Sequence, residues 1–237
     1  MMNLIAKGNT AEIFDYAEGS ICKLFNAGYP VESVRNEFYN AKLLYDLKLP
    51  VPKCYEQIVL NDRHGLIYER VNGADLSTYL MDISKYRMVL STLVNMQKTL
   101  HDYESDLLPS YKDFVRGTIG DTDKDLISLL DELPDGNTLC HGDLHPGNIM
   151  IDGNGEVKVI DFINLCRGPK EYDIARTYYL LAYSRLPEDM SNKEDLAAMR
   201  ERFANDYLDE MGLDIQDIRL YLALVKRCHI IETAHNS

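Results

Sequence analysis

Asp143, Asn148 and Asp161 stand within one short stretch whose layout can gather oxygen atoms at a single point. It reads His141-Gly142-Asp143-Leu144-His145-Pro146-Gly147-Asn148-Ile149-Met150-Ile151, then Asp152-Gly153-Asn154-Gly155, then Glu156-Val157-Lys158-Val159-Ile160-Asp161-Phe162. Pro146 forbids a helix through the loop. The apolar residues after Asn148 predict a short strand, and the Asp-Gly/Asn-Gly turn predicts a reversal into an alternating strand that ends at Asp161. Such a hairpin holds Asn148 and Asp161 near each other at one end, with Asp143 on the loop leading in. Two carboxylates and an amide at one rim suit a hard cation and the phosphates it bridges.

The elements that must position these residues fall into two halves. Strands are predicted at 12–16 and 20–25 around Glu18-Gly19, and at 54–60 and 65–71 around the turn 61–64. Between them, Val31, Val34, Phe38, Ala41 and Tyr45 recur at helical spacing, with Pro30 at the start and Pro50 and Pro52 beyond the end. After Asn72-Gly73 the pattern turns helical, with helices predicted at 75–81, 85–101 and 124–133. Beyond the hairpin, helices are predicted at 173–184, 192–211 and from 214 onward. The fold class expected is α+β: a small β-rich N-lobe with one helix, residues 1–71, and a larger, mainly helical C-lobe, residues 72–237. A cleft between them is where a small-molecule site belongs.

His141-Gly142-Asp143-x4-Asn148 followed by Ile160-Asp161-Phe162 resembles the aminoglycoside phosphotransferase and choline kinase branch of the protein-kinase-like fold. The resemblance extends to Lys23, Glu37 and the segment 168–175, Gly-Pro-x-x-Tyr-Asp-Ile-Ala, so it spans nearly the whole chain. It implies an ATP- and Mg²⁺-dependent phosphotransferase. Asp143 matches the catalytic aspartate that aims an acceptor hydroxyl at the γ-phosphorus and takes its proton late. Asn148 and Asp161 match the magnesium ligands. Lys23 matches the lysine that contacts the α- and β-phosphates, and Glu37 its helical partner. Lys7-Gly8-Asn9-Thr10-Ala11 sits where a phosphate-covering loop belongs; G-x-G-x-x-G is absent, leaving Gly8 and the Thr10 hydroxyl. Glu69 and Val71 fall in the lobe connector, where adenine bonds to main-chain groups. Asp173 is expected to brace the catalytic loop, and His141 to be a buried orienting residue.

Departures from protein kinases point to a small-molecule acceptor. Gly142 replaces the arginine that binds a phosphorylated activation loop, and Ile163 replaces the glycine of D-F-G. A catalytically idle nucleotide-binding scaffold is the alternative, and a protein kinase a further one. The idle reading would expect loss of Asp143, Asn148 or Lys23, and all three are present. A zinc reading of His141-x3-His145 with Cys140 and Cys166 lacks a helix presenting both imidazoles and an acidic third ligand.

The chain has 237 residues, 46% hydrophobic, and a net charge of -13. An acidic surface disfavours nucleic acid and anionic membranes as partners and favours a cationic or neutral acceptor. No signal peptide opens the sequence and no run approaches a membrane span, so a cytoplasmic protein is expected. Five scattered cysteines read as buried reduced thiols. Aminoglycoside, choline, sugar and homoserine all remain open as acceptors. Tyr172, Tyr178, Tyr179 and Tyr183, followed by Glu188, Asp189, Glu194 and Asp195, could hold an ammonium group. The tyrosine spacing is also that of core.

Overall fold

The computed structural model describes residues 3–120, 123–184 and 193–235. In chain order the elements are β1 (Leu4–Lys7), β2 (Ala11–Asp15), β3 (Ser20–Phe25), α1 (Val31–Asp46), β4 (Cys54–Leu60), β5 (Arg63–Glu69) and β6 (Gly73–Asp75). There follow α2 (Tyr86–His101), α3 (Tyr111–Ile119), α4 (Lys124–Glu132), β7 (Thr138–Cys140), β8 (Ile149–Asp152) and β9 (Val157–Val159). The last are β10 (Cys166–Gly168), α5 (Lys170–Tyr183), α6 (Lys193–Glu210) and α7 (Ile215–His235). These form two compact units. One comprises Met1–Thr78 with Gly147–Ile163, the other Tyr79–Pro146 with Asn164–Ser237.

This division differs from the expected 1–71 and 72–237. The β8–β9 hairpin joins the first unit because β6 pairs antiparallel with β8, Gly73 opposite Asp152. A Cβ at Gly73 would run into the Ile151 backbone, so this pairing requires glycine. The glycine that reads as a domain break is therefore a close approach. The same pairing explains why the helix expected at 75–81 is absent: β6 ends there and only a single 3₁₀ turn, Leu76–Tyr79, follows.

In the first unit an antiparallel sheet runs β1-β2-β3-β5-β4. Cys22, Leu24 and Ile67 are buried on it, with Phe14, Ile58 and Leu60 packed against them. The β4–β5 turn is tighter than expected. Asn61 and Asp62 both take positive φ, 48° and 61°, the signature of a two-residue type I′ hairpin. Arg63 therefore begins β5, and its guanidinium donates to the Phe25 and Leu24 carbonyls at 2.7 and 3.1 Å.

Helix α1 packs on β4 and β5. Its buried face is Val34, Glu37, Ala41 and Leu44, rotated from the expected stripe, which leaves Val31 and Tyr45 exposed. The helix stops before Pro50. Lys48 adopts φ 63°, the Leu49 N–H donates to the Leu44 carbonyl and the Lys48 N–H to that of Tyr45. This is a Schellman cap with a lysine where glycine is usual.

In the second unit α5 is the central helix, packed against α6 and α7, while α2 packs on α6, and α3 and α4 on α7. Tyr172, Ile174, Ala175 and Tyr178 of α5 are buried, with Phe203, Ala204, Tyr207 and Leu224 of its neighbours. Helix α3, absent from the sequence reading, begins at Ser110, whose hydroxyl accepts the Lys112 N–H. The two-stranded sheet β7–β10 sets Cys140 opposite Cys166. Among the described residues no helix is long and apolar enough to cross a membrane.

Candidate active site

Lys23 lies on β3 with its side chain almost wholly buried. Its ammonium donates to both Glu37 oxygens, at 2.7 and 2.9 Å, and to Asp161 Oδ1 at 3.0 Å. The Tyr68 hydroxyl donates to Glu37 Oε1 at 3.0 Å. Burial opposes the charge on Lys23, but the Glu37 and Asp161 carboxylates outweigh it and hold the amine protonated, above the usual lysine range. Burial lifts the Glu37 carboxyl above its ordinary range despite the opposing pull of Lys23. The structure thus joins three sequence-predicted residues, Lys23, Glu37 and Asp161, across about 140 positions of chain. Two further participants were not predicted as site residues. Tyr68 is one. The other is Asn40, one turn beyond Glu37, whose amide donates to the Phe162 carbonyl at 2.8 Å.

The hairpin arrives as the turn chemistry predicts. Asp152 Oδ1 accepts the Asn154 and Glu156 N–H groups at 2.8 and 2.9 Å, and Gly155 takes φ 84°. Ile149 pairs with Val159, and the Ile160 N–H donates to the Asn148 carbonyl at 2.9 Å. Asn148 and Asp161 accordingly share one end of the hairpin. Asp161 itself sits at φ 68°, a left-handed conformation rare for a residue with a side chain. An amide and a carboxylate oxygen at one hairpin end form a donor set that fits a hard divalent cation.

Asp143 belongs to the second unit, on the loop after β7. Its N–H donates to Nδ1 of the fully buried His141 at 3.2 Å, an orienting contact of the kind expected for that histidine. The loop is fastened by Asp173 at the start of α5. Asp173 accepts the Gly142 N–H at 2.8 Å and the His141 N–H at 3.2 Å. Behind it, Gln97 donates to Asp173 Oδ2 at 2.8 Å, His101 Nε2 lies 2.9 Å away, and the Tyr207 hydroxyl donates to Gln97 Oε1 at 2.6 Å. Burial raises the Asp173 carboxyl, but His101 and the Gly142 N–H outweigh it and hold its pKa below the ordinary value. Arg176 also donates to the Gly142 carbonyl. Gln97 and His101 escape the sequence reading because an apolar-periodic helix gives no sign of what its polar residues meet.

Gly8 and Thr10 lie in the β1–β2 turn. The Gly8 N–H donates to the Ala11 carbonyl, Thr10 accepts the Asn26 N–H, and the Asn26 amide caps the Asn9 carbonyl at 2.8 Å. Glu69 ends β5, and its carboxylate meets Lys158 at 2.6 Å and the Lys53 N–H. Burial raises this carboxyl, but Lys158 and the Lys53 N–H outweigh it and hold it below its ordinary range. That side chain is committed to an ion pair, the Glu69 N–H donates to the Lys53 carbonyl, and the Val71 carbonyl accepts the Gly73 N–H. A polar cavity of about 340 Å³ adjoins them, lined in part by Arg70, Asn72, Asp152 and Asn154.

Tyr172, Tyr178 and Tyr179 are core, whereas Tyr183 is exposed with the Lys226 ammonium over its ring at 4.1 Å. Glu188 and Asp189 lie outside the described residues. A hydrogen bond to Cys166, together with burial, holds the Cys140 thiol well above its ordinary range, and a zinc ligand must be a thiolate.

Residues 15–218 match the phosphotransferase enzyme family. No curated protein matches the chain. Among solved structures, the aminoglycoside phosphotransferase APH(3'')-Id from Streptomyces rimosus is 18% identical, with 94% of this chain and 91% of that one covered and a TM-score of 0.64. An aminoglycoside-3'-phosphotransferase of type VIII is 20% identical over 94% and 92%, with a TM-score of 0.60. A thermostable mutant of aminoglycoside phosphotransferase APH(4)-Ia, solved with ADP and hygromycin B, is 15% identical over 98% and 92%, with a TM-score of 0.58. At these identities the likeness speaks to the fold, which is protein-kinase-like, and the match over 15–218 speaks to kinship. The chain belongs to the phosphotransferase enzyme family and is a small-molecule kinase.

Proposed function

We propose that the protein transfers the γ-phosphoryl group of ATP to a hydroxyl of a small, cationic, polyhydroxylated acceptor. The observation that carries this reading is the buried Lys23 ammonium held between Glu37 and Asp161. A protonated amine fixed in this way is ready to meet phosphate oxygens. Lys23 binds the α- and β-phosphates, oriented by Glu37, which is itself held by Tyr68. The backbone about Gly8 and Thr10 covers phosphate, and backbone groups of Glu69 and Val71 receive the adenine. Residues 1–71, joined by the β8–β9 hairpin, thereby hold nucleotide, and the remainder of 72–237 supplies the acceptor's side of the reaction. Asn148 and Asp161 would hold Mg²⁺, which when bound neutralises charge on the phosphates.

Asp143 accepts a hydrogen bond from the acceptor hydroxyl and aims its oxygen at the γ-phosphorus. As the new O–P bond forms, the bond from that phosphorus to the β,γ-bridging oxygen breaks. ADP leaves with the electron pair, and the hydroxyl proton passes to the Asp143 carboxylate. A carboxylate is a weak base, so positioning comes first and the proton moves late. Asp173 and His141 keep Asp143 in register.

A cationic acceptor is supported by the net charge of -13 and by relatives solved with ADP and streptomycin or hygromycin B. The test is ATP consumption across aminoglycosides, choline, sugars and a generic protein acceptor. Turnover on an aminoglycoside that falls ~10²–10⁴-fold in Asp143→Asn, with nucleotide binding retained, is the expected result. Wild-type turnover in that variant would overturn the role of Asp143.

A further inference from the structure

Helix α1 reaches the Asp161 turn twice. Glu37 acts through Lys23 on the Asp161 side chain, and Asn40, one turn later on the same face, donates its amide to the carbonyl of the next residue, Phe162, at 2.8 Å. Between these two grips lies the left-handed backbone of Asp161, φ 68°. A non-glycine residue persists there only when its surroundings fix it. On the upstream side the Ile160 N–H is fixed to the Asn148 carbonyl, and Phe162 is fully buried. The Asn40 amide thus brings a hydrogen bond from α1 to the backbone immediately after Asp161. Asparagine is also a poor helix former, so local helix stability does not account for it at this position.

We propose that Asn40 is a positioning residue: by holding the Phe162 carbonyl it sets the direction in which the Asp161 carboxylate presents its oxygens to Mg²⁺-nucleotide. This rests on the reading of Asn148 and Asp161 as the metal-holding pair. Without the donor, the peptide after Asp161 relaxes toward ordinary backbone angles and the carboxylate swings with it.

The test is binding of a fluorescent ATP analogue, in Mg²⁺ and in excess EDTA, to wild type, Asn40→Asp, Asn40→Ala and Asp161→Asn, beside hydrogen exchange of the amides at 160–163. Asn40→Asp keeps shape and loses the donor; Asn40→Ala removes the group. Both are expected to bind as wild type does in EDTA. In Mg²⁺ both should lose about 3- to 10-fold of the affinity that the metal adds, the size of one net hydrogen bond, with faster exchange at 160–163. Wild-type Mg²⁺ gain in both variants overturns the proposal, as does a loss equal in EDTA, which would mark a general support of the fold. An undiminished Mg²⁺ gain in Asp161→Asn sinks the metal reading itself, and the Asn40 role with it.

Discussion

Lys23 and Glu37 meet where water is nearly excluded, their side chains 10% and 1% exposed, so the pair is far harder to break than a surface ion pair. Replacing Lys23 with methionine strands a buried carboxylate. Urea unfolding should show a loss of roughly 3–5 kcal/mol, and nucleotide affinity should fall with it. Glu37→Gln together with Lys23→Met should recover part of the stability and none of the affinity, which separates the structural from the binding role of the pair. The second residue-scale consequence is a pH dependence. The Asp173 carboxyl is held below its ordinary value by His101 and the loop N–H groups, whereas an unfolded aspartate titrates near ~3.9. Its contribution to stability is therefore present above about pH 4 and is lost as pH falls through the lower, folded value. Asp173→Asn should flatten the acid limb of stability plotted against pH, and should also depress kcat by loosening the Asp143 loop.

At the scale of elements, two backbone conformations make opposite predictions. Gly142 takes φ 76°, and a Cβ there would collide with the Asn164 carbonyl. Gly142→Ala should cost about 1–3 kcal/mol and shift the Asp143 loop, so thermal unfolding and kcat should fall together. Lys48, by contrast, occupies the left-handed position of the α1 cap with a side chain. Lys48→Gly should stabilise the protein by roughly 0.5–1 kcal/mol in chemical denaturation, leaving kcat/KM unchanged. The loop and the cap differ in one respect: what surrounds Gly142 leaves no room, whereas the Lys48 side chain is exposed, with its ammonium over the Tyr45 ring.

For the whole molecule the net charge of -13 is the property that reaches farthest. A cationic acceptor is drawn to an acidic surface over a distance set by salt, the Debye length falling from about 10 Å at 0.1 M to about 3 Å at 1 M. The KM for an aminoglycoside should rise steeply across that range while that for a neutral sugar stays nearly flat. Equal salt dependence for both acceptors would argue that the charge serves solubility alone. The division into two units bears on the same scale, since the first takes in Gly147–Ile163 as well as the N-terminal sheet.

Local chemistry made much of this legible. Turn residues at 152–155, the strand alternation around Lys23 and the helical period of α1 each act over a few positions, so sequence alone determined the hairpin, most of the sheet and the residue types at the candidate site. It did not determine which face of α1 is buried, because Glu37 is inward only by virtue of Lys23 and Tyr68, both remote in the chain. Nor did it reveal α3, the pairing of β6 with β8, or the partners of Asn40, Gln97 and His101. A polar side chain in a helix reads as solvated until another element supplies an acceptor in reach, and that supply is settled by tertiary packing. Sequence named the residues of the candidate site; only the fold decided which backbone groups hold them.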